Sequence, residues 1–442
     1  MTLSSIVSVS ISAGTSFPSQ RGFGTPLLLG FHTRFAENHR LYSSLQGMLS
    51  DGFTVDDPMY KMASKAFSQN PRPPQVRIGR LPTPASAHTT TLDVSSIVSG
   101  ESVSMVVTTA AGVSTTVTQA YDTSANATAT ALASTIDGIA GLGATASTGV
   151  VTVTADANGD VAFFADVTGP VMVRDTTADW GYDTQLGLIL NETADFYAVM
   201  VDVNSDANIA DVAAWALAND RLAFFAPQST DPADYATQGG ALQTAGNDRA
   251  VSLVTQKSRA QFHDVGWACE GLPWAPGSQT WMFKTIRGSE TDSWSDSDLS
   301  AIEAYGGNHY TTVAGLNITR NGVTHGGEYI DVTRGLDWLV SRIQEAIFAL
   351  LANNRKVPFT DSGGQLIKQS IQAILDTAVT AGVLEGGTDP DTGDSLDPFV
   401  TVPRVASLLA ADRAARHFTG VEFQGRLAGA VHKVTVVGTV SV

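Results

Sequence analysis

The sequence predicts a multidomain protein of α/β and α+β class, with an α/β core, a β-rich inserted domain, and extended strand arms at both ends. Three observations predict this. Apolar runs such as 196–203 and 222–226 alternate with helical patterns, which is typical of a parallel sheet covered on both faces. Residues 86–178 are dominated by Ser, Thr, Ala and Gly, and they contain no Lys. Both chain ends alternate apolar and polar residues, as half-buried strands do.

The first of these ends predicts an N-terminal strand arm over 1–25. Val7, Val9 and Ile11 fall on one face of the predicted strand, and serines fall on the other. No partner strand follows nearby, because 13–25 are rich in Gly and Pro. A strand with unpaired backbone groups is a natural donor to another sheet.

The other end predicts a matching C-terminal arm over 426–442. Val434, Val436 and Val440 share one face, with Lys433 and threonines mostly opposite. Two such arms would let each copy of the chain join its neighbours by strand exchange. The sequence therefore predicts a polymer of identical subunits.

Between the arms, we predict a core in two parts, 26–85 and 179–425, separated by the inserted domain at 86–178. Within the insert, Asn158-Gly159 predicts a hairpin that joins strands at 150–155 and 161–165. In the second core part, 281–286 and 311–318 are predicted as strands. Apolar residues at helical spacing predict helices over 333–352 and 365–380.

Composition limits the classes of function. The formal net charge is −17, which disfavours direct binding to nucleic acid phosphates. The single cysteine, Cys269, excludes an intrachain disulfide and is predicted to be a buried apolar residue in a protein of reducing, cytosolic origin. Neither a signal peptide nor a membrane-inserting helix is predicted.

Motifs for catalysis are weak. The run from Gly141 to Ala146 matches a degenerate dinucleotide fingerprint, but it follows a predicted helix and precedes a strand, so we interpret it as a turn. His309 and His325, with Glu328 nearby, lack the convergent ligands of a metal site. We predict no catalytic, metal or cofactor-binding residues, and hence no enzyme and no cofactor.

Charge is distributed unevenly towards the C-terminus. From residue 401 onward the only acids are Asp412 and Glu422, whereas the bases are Arg404, Arg413, Arg416, Arg426 and Lys433. A basic segment on an acidic protein predicts a surface that faces an acidic partner. Internal salt bridges within the subunit are the alternative.

Three parts of the sequence resemble the contractile tail sheath proteins of myovirus-type bacteriophages. They are the strand and Gly/Pro arm at 4–30, the Pro71-Arg72-Pro73-Pro74 segment with the strand at 75–80, and the stretch from 402 to the final strand. No single part is a sharp motif, and their order along most of the chain carries the resemblance.

The resemblance implies a structural role without catalysis. Family members assemble as stacked, usually hexameric rings around a tail tube, and their arms add strands to a small sheet in the C-terminal region of neighbours. Contraction then drives the tube through the host envelope for genome ejection. Implied partners are other copies of the chain, the tail tube protein, and baseplate and tail terminator proteins, without nucleic acid or membrane insertion. The implied location is the virion tail, assembled in the host bacterial cytoplasm.

Three alternatives remain open from the sequence. The sheath of a contractile bacteriocin or secretion system would have the same mechanics. A tube or baseplate protein is disfavoured by the strand–helix alternation at 184–255. An enzyme on the doubly wound core would place ligands at the carboxyl ends of its strands, where 204–206 and 227–229 are ordinary loop residues.

Overall fold

The chain forms two compact units in a computed structural model that describes residues 22–229 and 232–435. The body unit contains 22–335 and the segment after residue 428, and the C-terminal unit contains 336–428. The sequence predicts 179–425 as one part of the core, whereas the structure groups 336–428 separately around an apolar cluster of its own. The other predicted domain boundaries stay predictions.

A six-stranded sheet forms the centre of the body unit. In spatial order its strands are β13 (Ala250–Ser252), β12 (Leu222–Phe225), β11 (Ala198–Val201), β1 (Pro26–Phe31), β3 (Val76–Leu81) and β2 (His39–Tyr42). All neighbours run parallel except the edge pair β2–β3. Leu28 pairs with Met200 on one side and Ile78 on the other, and all three are fully buried. The predicted α/β core is confirmed, since continuous apolar strands need cover on both faces.

Helices supply that cover. They are α1 (Leu45–Ser50), α2 (Pro58–Phe67), α4 (Tyr182–Glu192), α5 (Asp206–Ala218), α6 (Pro232–Thr244), α7 (His263–Gly271) and α8 (Asp296–Ala304). Serines start three of them, because a serine hydroxyl satisfies a free N–H of the first turn, as Ser44 does for the Gly47 amide. Ser205 accepts from the Asn208 amide, and Ser295 forms a capping box with Asp298.

The segment predicted as an insert has its own apolar cluster and two small sheets. One sheet has the order β10 (Met172–Asp175), β4 (Thr89–Asp93), β8 (Val150–Ala155) and β7 (Leu142–Ser147). The other has the order β6 (Ser114–Ala120), β5 (Ser102–Thr108) and β9 (Phe163–Thr168), and α3 (Ala125–Asp137) packs beside β7 and β8. The first and last strands, β4 and β10, are antiparallel neighbours, so the segment begins and ends at one place.

Two local predictions in this segment are wrong. The run from Gly141 to Ala146 forms most of β7, not a turn, because its alternating side chains pair with β8. The hairpin at β8 is therefore the one with β7, through Thr148 and Gly149, both at positive φ. The strand after Asn158-Gly159 pairs with β5 instead.

Predictions near the end of the body unit are corrected in a similar way. The predicted strand at 281–286 is irregular backbone in which Phe283 has a φ of +65°. The predicted strand at 311–318 is a hairpin of β14 (His309–Val313) and β15 (Leu316–Arg320), because Ala314 and Gly315 adopt positive φ and reverse the chain. No helix in the described ranges has both the length and the apolar composition needed to cross a bilayer.

The C-terminal unit is built from α10 (Asp361–Ala381), α11 (Ala410–Ala415), a two-stranded sheet and most of α9 (Ile330–Asn353), which starts in the body unit. The sheet pairs β16 (Phe399–Thr401) with β17 (Glu422–Gln424). Leu339, Leu375 and Val400 are nearly or fully buried within its cluster. Both long helices agree with the predicted ranges, since their apolar residues recur at helical spacing.

Substitution of Gly79 tests the packing of α4 on the sheet. A Cβ at Gly79 would lie 2.9 Å from Leu29 and 3.0 Å from Ile189, so Gly79→Ala overpacks a closed site. We expect the free energy of unfolding to fall by about 1–3 kcal/mol in a urea titration. Gly187→Ala on α4 is the control, because nothing lies near its Cβ, and it should raise stability by about 0.5–1 kcal/mol. Equal effects of the two substitutions would contradict this packing.

Candidate interaction surfaces

The carboxyl-end edge of the parallel sheet is where a doubly wound enzyme would hold its ligand. Here Arg259 occupies it: its guanidinium donates to both Asp264 carboxylate oxygens at 2.8 and 2.9 Å and to the Val201 carbonyl at 2.7 Å. Gln228 donates to the Phe164 carbonyl of β9 and accepts from the Arg259 amide. The cavity between these groups is about 30 Å³, and two larger cavities of about 190 and 250 Å³ lie further along the same edge, beside His32 and Lys257.

A buried carboxyl group lies at the same edge. Asp202 follows β11 and accepts from the Tyr182 hydroxyl at 2.6 Å and the Phe31 amide at 3.2 Å. Burial raises the pKa of Asp202 to about 6, although the Tyr182 hydrogen bond opposes that shift. Phe163 and Phe164 of β9 line the cavity beside this carboxyl group. Asp202 and Arg259 stabilise the sheet edge. The sequence did not predict this role, because each is a single residue of a common type.

The two histidines considered as metal ligands are structural. His325 Nδ1 donates to the Tyr305 carbonyl at 3.0 Å, so Nε2 accepts from the Ser252 hydroxyl at 2.9 Å. His309 Nε2 donates to Glu303 at 3.0 Å. In the described ranges, no group of three potential ligands could hold a metal ion. Cys269 is free and fully buried, as predicted, and burial raises the pKa of its thiol.

The predicted basic residues are all exposed. Arg404, Arg413, Arg416 and Arg426 belong to the C-terminal unit, and Lys433 belongs to the segment that follows it. None of the five forms an ion pair with a residue that the structure describes. The alternative of internal salt bridges therefore has no support within those ranges. The role of these side chains in contacting a partner stays a prediction.

The β16–β17 sheet is a second candidate surface. Each strand has three residues and pairs only with the other in the part of the chain described, so each keeps one open edge. Phe399 is 52% exposed and Phe423 is 45% exposed. Isolated two-stranded sheets are marginal in water, and open edges favour addition of a further strand. The sequence did not predict these two aromatic residues as part of an interaction surface, because each is only an apolar side chain in a short extended run.

The strand arms themselves are described only in small part. Val7, Val9, Ile11, Val436 and Val440 lie outside the described residues, and their predicted roles stay predictions. Val434 is extended chain outside any strand and is 73% exposed.

Comparison with known proteins agrees with this fold. Residues 330–440 match the family described as E217 tail sheath protein gp31-like, C-terminal domain. The whole chain is similar to the sheath of an extracellular contractile injection system, PVC, in the contracted state. That match has a TM-score of 0.58 at 9% identity, over 98% of this chain and 96% of the other. No curated protein matches the sequence.

Two crystal structures of sheath tail proteins are more distant neighbours. Those from Desulfitobacterium hafniense and Listeria innocua are each 12% identical, with TM-scores of 0.47. The first match covers 89% of this chain and 93% of the other, and the second covers 88% and 90%.

The fold is therefore that of the contractile sheath proteins, as the sequence resemblance predicted. Within that class, residues 330–440 are similar in sequence to the gp31-like tail sheath C-terminal domain. Both matches are to structural proteins, which agrees with the prediction that the chain is not an enzyme.

Acid should destabilise the fold through its buried histidines. Burial lowers the pKa of His325 from 6.5 to about 4, so below pH 6.5 the unfolded chain binds a proton that the folded chain excludes. Stability is therefore lost as pH falls from 6.5 to 4. His325→Gln should reduce the slope of unfolding free energy against pH in that window by up to about 1.4 kcal/mol per pH unit. Urea titrations measure this slope, and an unchanged slope would show that His325 is not held neutral. His417→Gln, at an exposed position, should leave it unchanged.

Proposed function

We propose that this chain is the structural subunit of a contractile sheath that polymerises as helical stacked rings around a tail tube. The observation that carries the proposal is the likeness of nearly the whole chain to a sheath of known structure. The gp31-like C-terminal domain supports it independently, because that match rests on sequence.

Strand exchange is the proposed means of linkage. The open edges of β16 and β17 are suitable acceptors, because strands from neighbouring copies would pair their backbone groups and cover Phe399 and Phe423. The arms at 1–25 and 426–442 are the proposed donors. Rings of six subunits, contact with baseplate and tail terminator proteins, and assembly in the bacterial cytoplasm belong to the same proposal.

Contraction requires no catalytic site in this proposal. The subunits are assembled in a high-energy extended lattice, and a baseplate signal releases them to a lattice with better contacts. Arg259 and β9 lie across the part of the edge beside Asp202, and in this proposal the fold acts as a structural scaffold. The stored energy is conformational and is used to drive the tube through the host envelope.

Two kinds of machine fit the proposal. The phage-type C-terminal domain favours a myovirus tail, whose contraction leads to genome ejection. The likeness to the PVC sheath keeps a contractile bacteriocin or injection system as the second candidate. Mass spectrometry of particles isolated from the source bacterium separates the two, because capsid protein and DNA accompany only a phage tail.

Electron microscopy of the purified chain, alone and with its cognate tube and baseplate proteins, tests the proposal. We expect hollow tubes with a helical lattice. Deletion of 1–20 should leave a folded subunit, checked by circular dichroism, that forms no tubes because the donor strand is lost. Replacing the arm serines at 8, 10 and 12 by threonine keeps the alternation and should preserve assembly. Normal tubes from the deletion would refute strand donation, and single particles from the intact chain under all conditions would refute the sheath.

A single substitution tests the C-terminal arm. Val436→Pro removes a backbone N–H and should block strand addition, because proline cannot donate to a ladder. We expect assembly, followed by sedimentation, to fall at least about tenfold if one ladder hydrogen bond and its register are lost. Val436→Thr keeps both the N–H and β propensity, so it should assemble normally. Equal assembly of both variants would contradict the role of this arm.

A further inference from the structure

Arg334, in the second turn of α9, is a buried cation that contacts the chain near its N-terminal end. It is 2% exposed, and its guanidinium donates to the carbonyls of Gly271, Leu272 and Trp274 at 3.2, 2.7 and 2.8 Å. The same guanidinium donates to the Phe23 carbonyl at 3.0 Å. All four acceptors are backbone oxygens.

The energetics explain why these carbonyls hold a cation. Gly271 and Leu272 end α7, where carbonyls lack helical partners and carry the negative end of the helix dipole. An arginine fork satisfies several of them at once, which a lysine cannot do. The Phe23 carbonyl accepts from Nη2, the same guanidinium nitrogen that donates to Leu272 and Trp274, and the Phe23 ring lies 4.8 Å from that of Tyr197. These contacts fix Phe23, which lies where the N-terminal arm joins the body unit. We call the part of each arm next to the body unit its root.

The start of the C-terminal arm contacts Tyr329, which precedes α9, and side chains of the irregular segment 280–283. His432 Nε2 lies 2.6 Å from the Thr280 hydroxyl. The His432 ring meets the Tyr329 ring at 4.9 Å and 86°, and the Phe283 ring at 6.2 Å and 90°. Tyr329 immediately precedes α9, so its contact with His432 lies beside the first turn of that helix. All these residues belong to the body unit.

The backbone conformation of Phe283 is a second indication that the contact with His432 is specific. Its φ of +65° is rare for a bulky residue and costs energy, and such conformations cluster at functional sites. A hydrogen bond of 2.9 Å from its amide to the Thr319 carbonyl maintains it. The ring is nevertheless 46% exposed, so apolar burial alone does not account for this conformation.

We propose that the beginning of α9 is an arm anchor, in which Arg334 holds the root of the N-terminal arm while Tyr329, Thr280 and Phe283 hold the root of the C-terminal arm. The anchor positions both arms, and its use in transmitting tension between subunits rests on the proposed sheath function. Because Tyr329 contacts one root and Arg334 contacts the other, a pull on either arm reaches the chain at the beginning of α9.

Trypsin tests the anchor without requiring assembly. Arg21 and Lys433 place one cleavage site directly outside each root. Cleavage needs several residues around the bond to enter the protease, so its rate reports local release of the root. The monomeric full-length chain is digested, and mass spectrometry follows the cuts after Arg21, Lys433 and, as an internal reference, Arg404.

The two halves of the anchor should respond separately. His432→Ala should speed cleavage after Lys433 by about fivefold or more and leave the cut after Arg21 unchanged. Arg334→Lys should speed cleavage after Arg21 by about fivefold or more and leave the cut after Lys433 unchanged. Phe23→Ala, which removes the buried ring beside Tyr197 and keeps the backbone carbonyl, should act like Arg334→Lys and serves if that variant does not fold. His417→Ala, in the C-terminal unit, should change neither rate.

The outcomes separate this proposal from the proposed function. Unchanged cleavage after Lys433 in His432→Ala, or equal acceleration of all three cuts in a folded variant, would overturn the anchor. Selective acceleration supports the anchor even if the intact chain forms no tubes, in which case the proposed sheath function fails by itself.

Discussion

The body unit depends on how the carboxyl-end edge of its parallel sheet is closed. Strands that end together leave carbonyls and polar side chains that must be paired. Arg259 pairs with Asp264 and the Val201 carbonyl, and Gln228 joins the same edge to β9. This interaction binds the core sheet to the inserted segment. The interaction also lies at the edge where other doubly wound folds bind ligands. In this protein, side chains at that edge stabilise the fold.

The sequence predicted the elements whose signal is local and continuous. The strands β11 and β12 are fully buried apolar runs, and α9 carries its apolar residues at helical spacing, so burial alone determined them. The hairpin assignment failed because two turn signals competed: Asn158-Gly159 has the stronger composition, but Thr148 and Gly149 make the turn. Nothing short of tertiary pairing distinguishes them.

The sequence predicted the candidate surfaces only in part. Exposure of the basic residues follows from charge, since an unpaired guanidinium is costly to bury. Arg334 is one of the buried exceptions, and it was not predictable because its partners are backbone carbonyls, which every residue possesses. His432 likewise gives no signal until Thr280 and Tyr329 are brought beside it, 152 residues away in the case of Thr280.

The adjacency of β4 and β10 has a consequence for how this protein can change. The segment between them leaves and rejoins the core through two hydrogen-bonded neighbours, with Thr90 opposite Asp175. The two ends of the segment are therefore as close together as the two strands of a hairpin. Sequence and length inside the segment can vary while the spacing of its ends is preserved. The core therefore offers a grafting point, where a foreign domain with closely spaced termini could replace the native one.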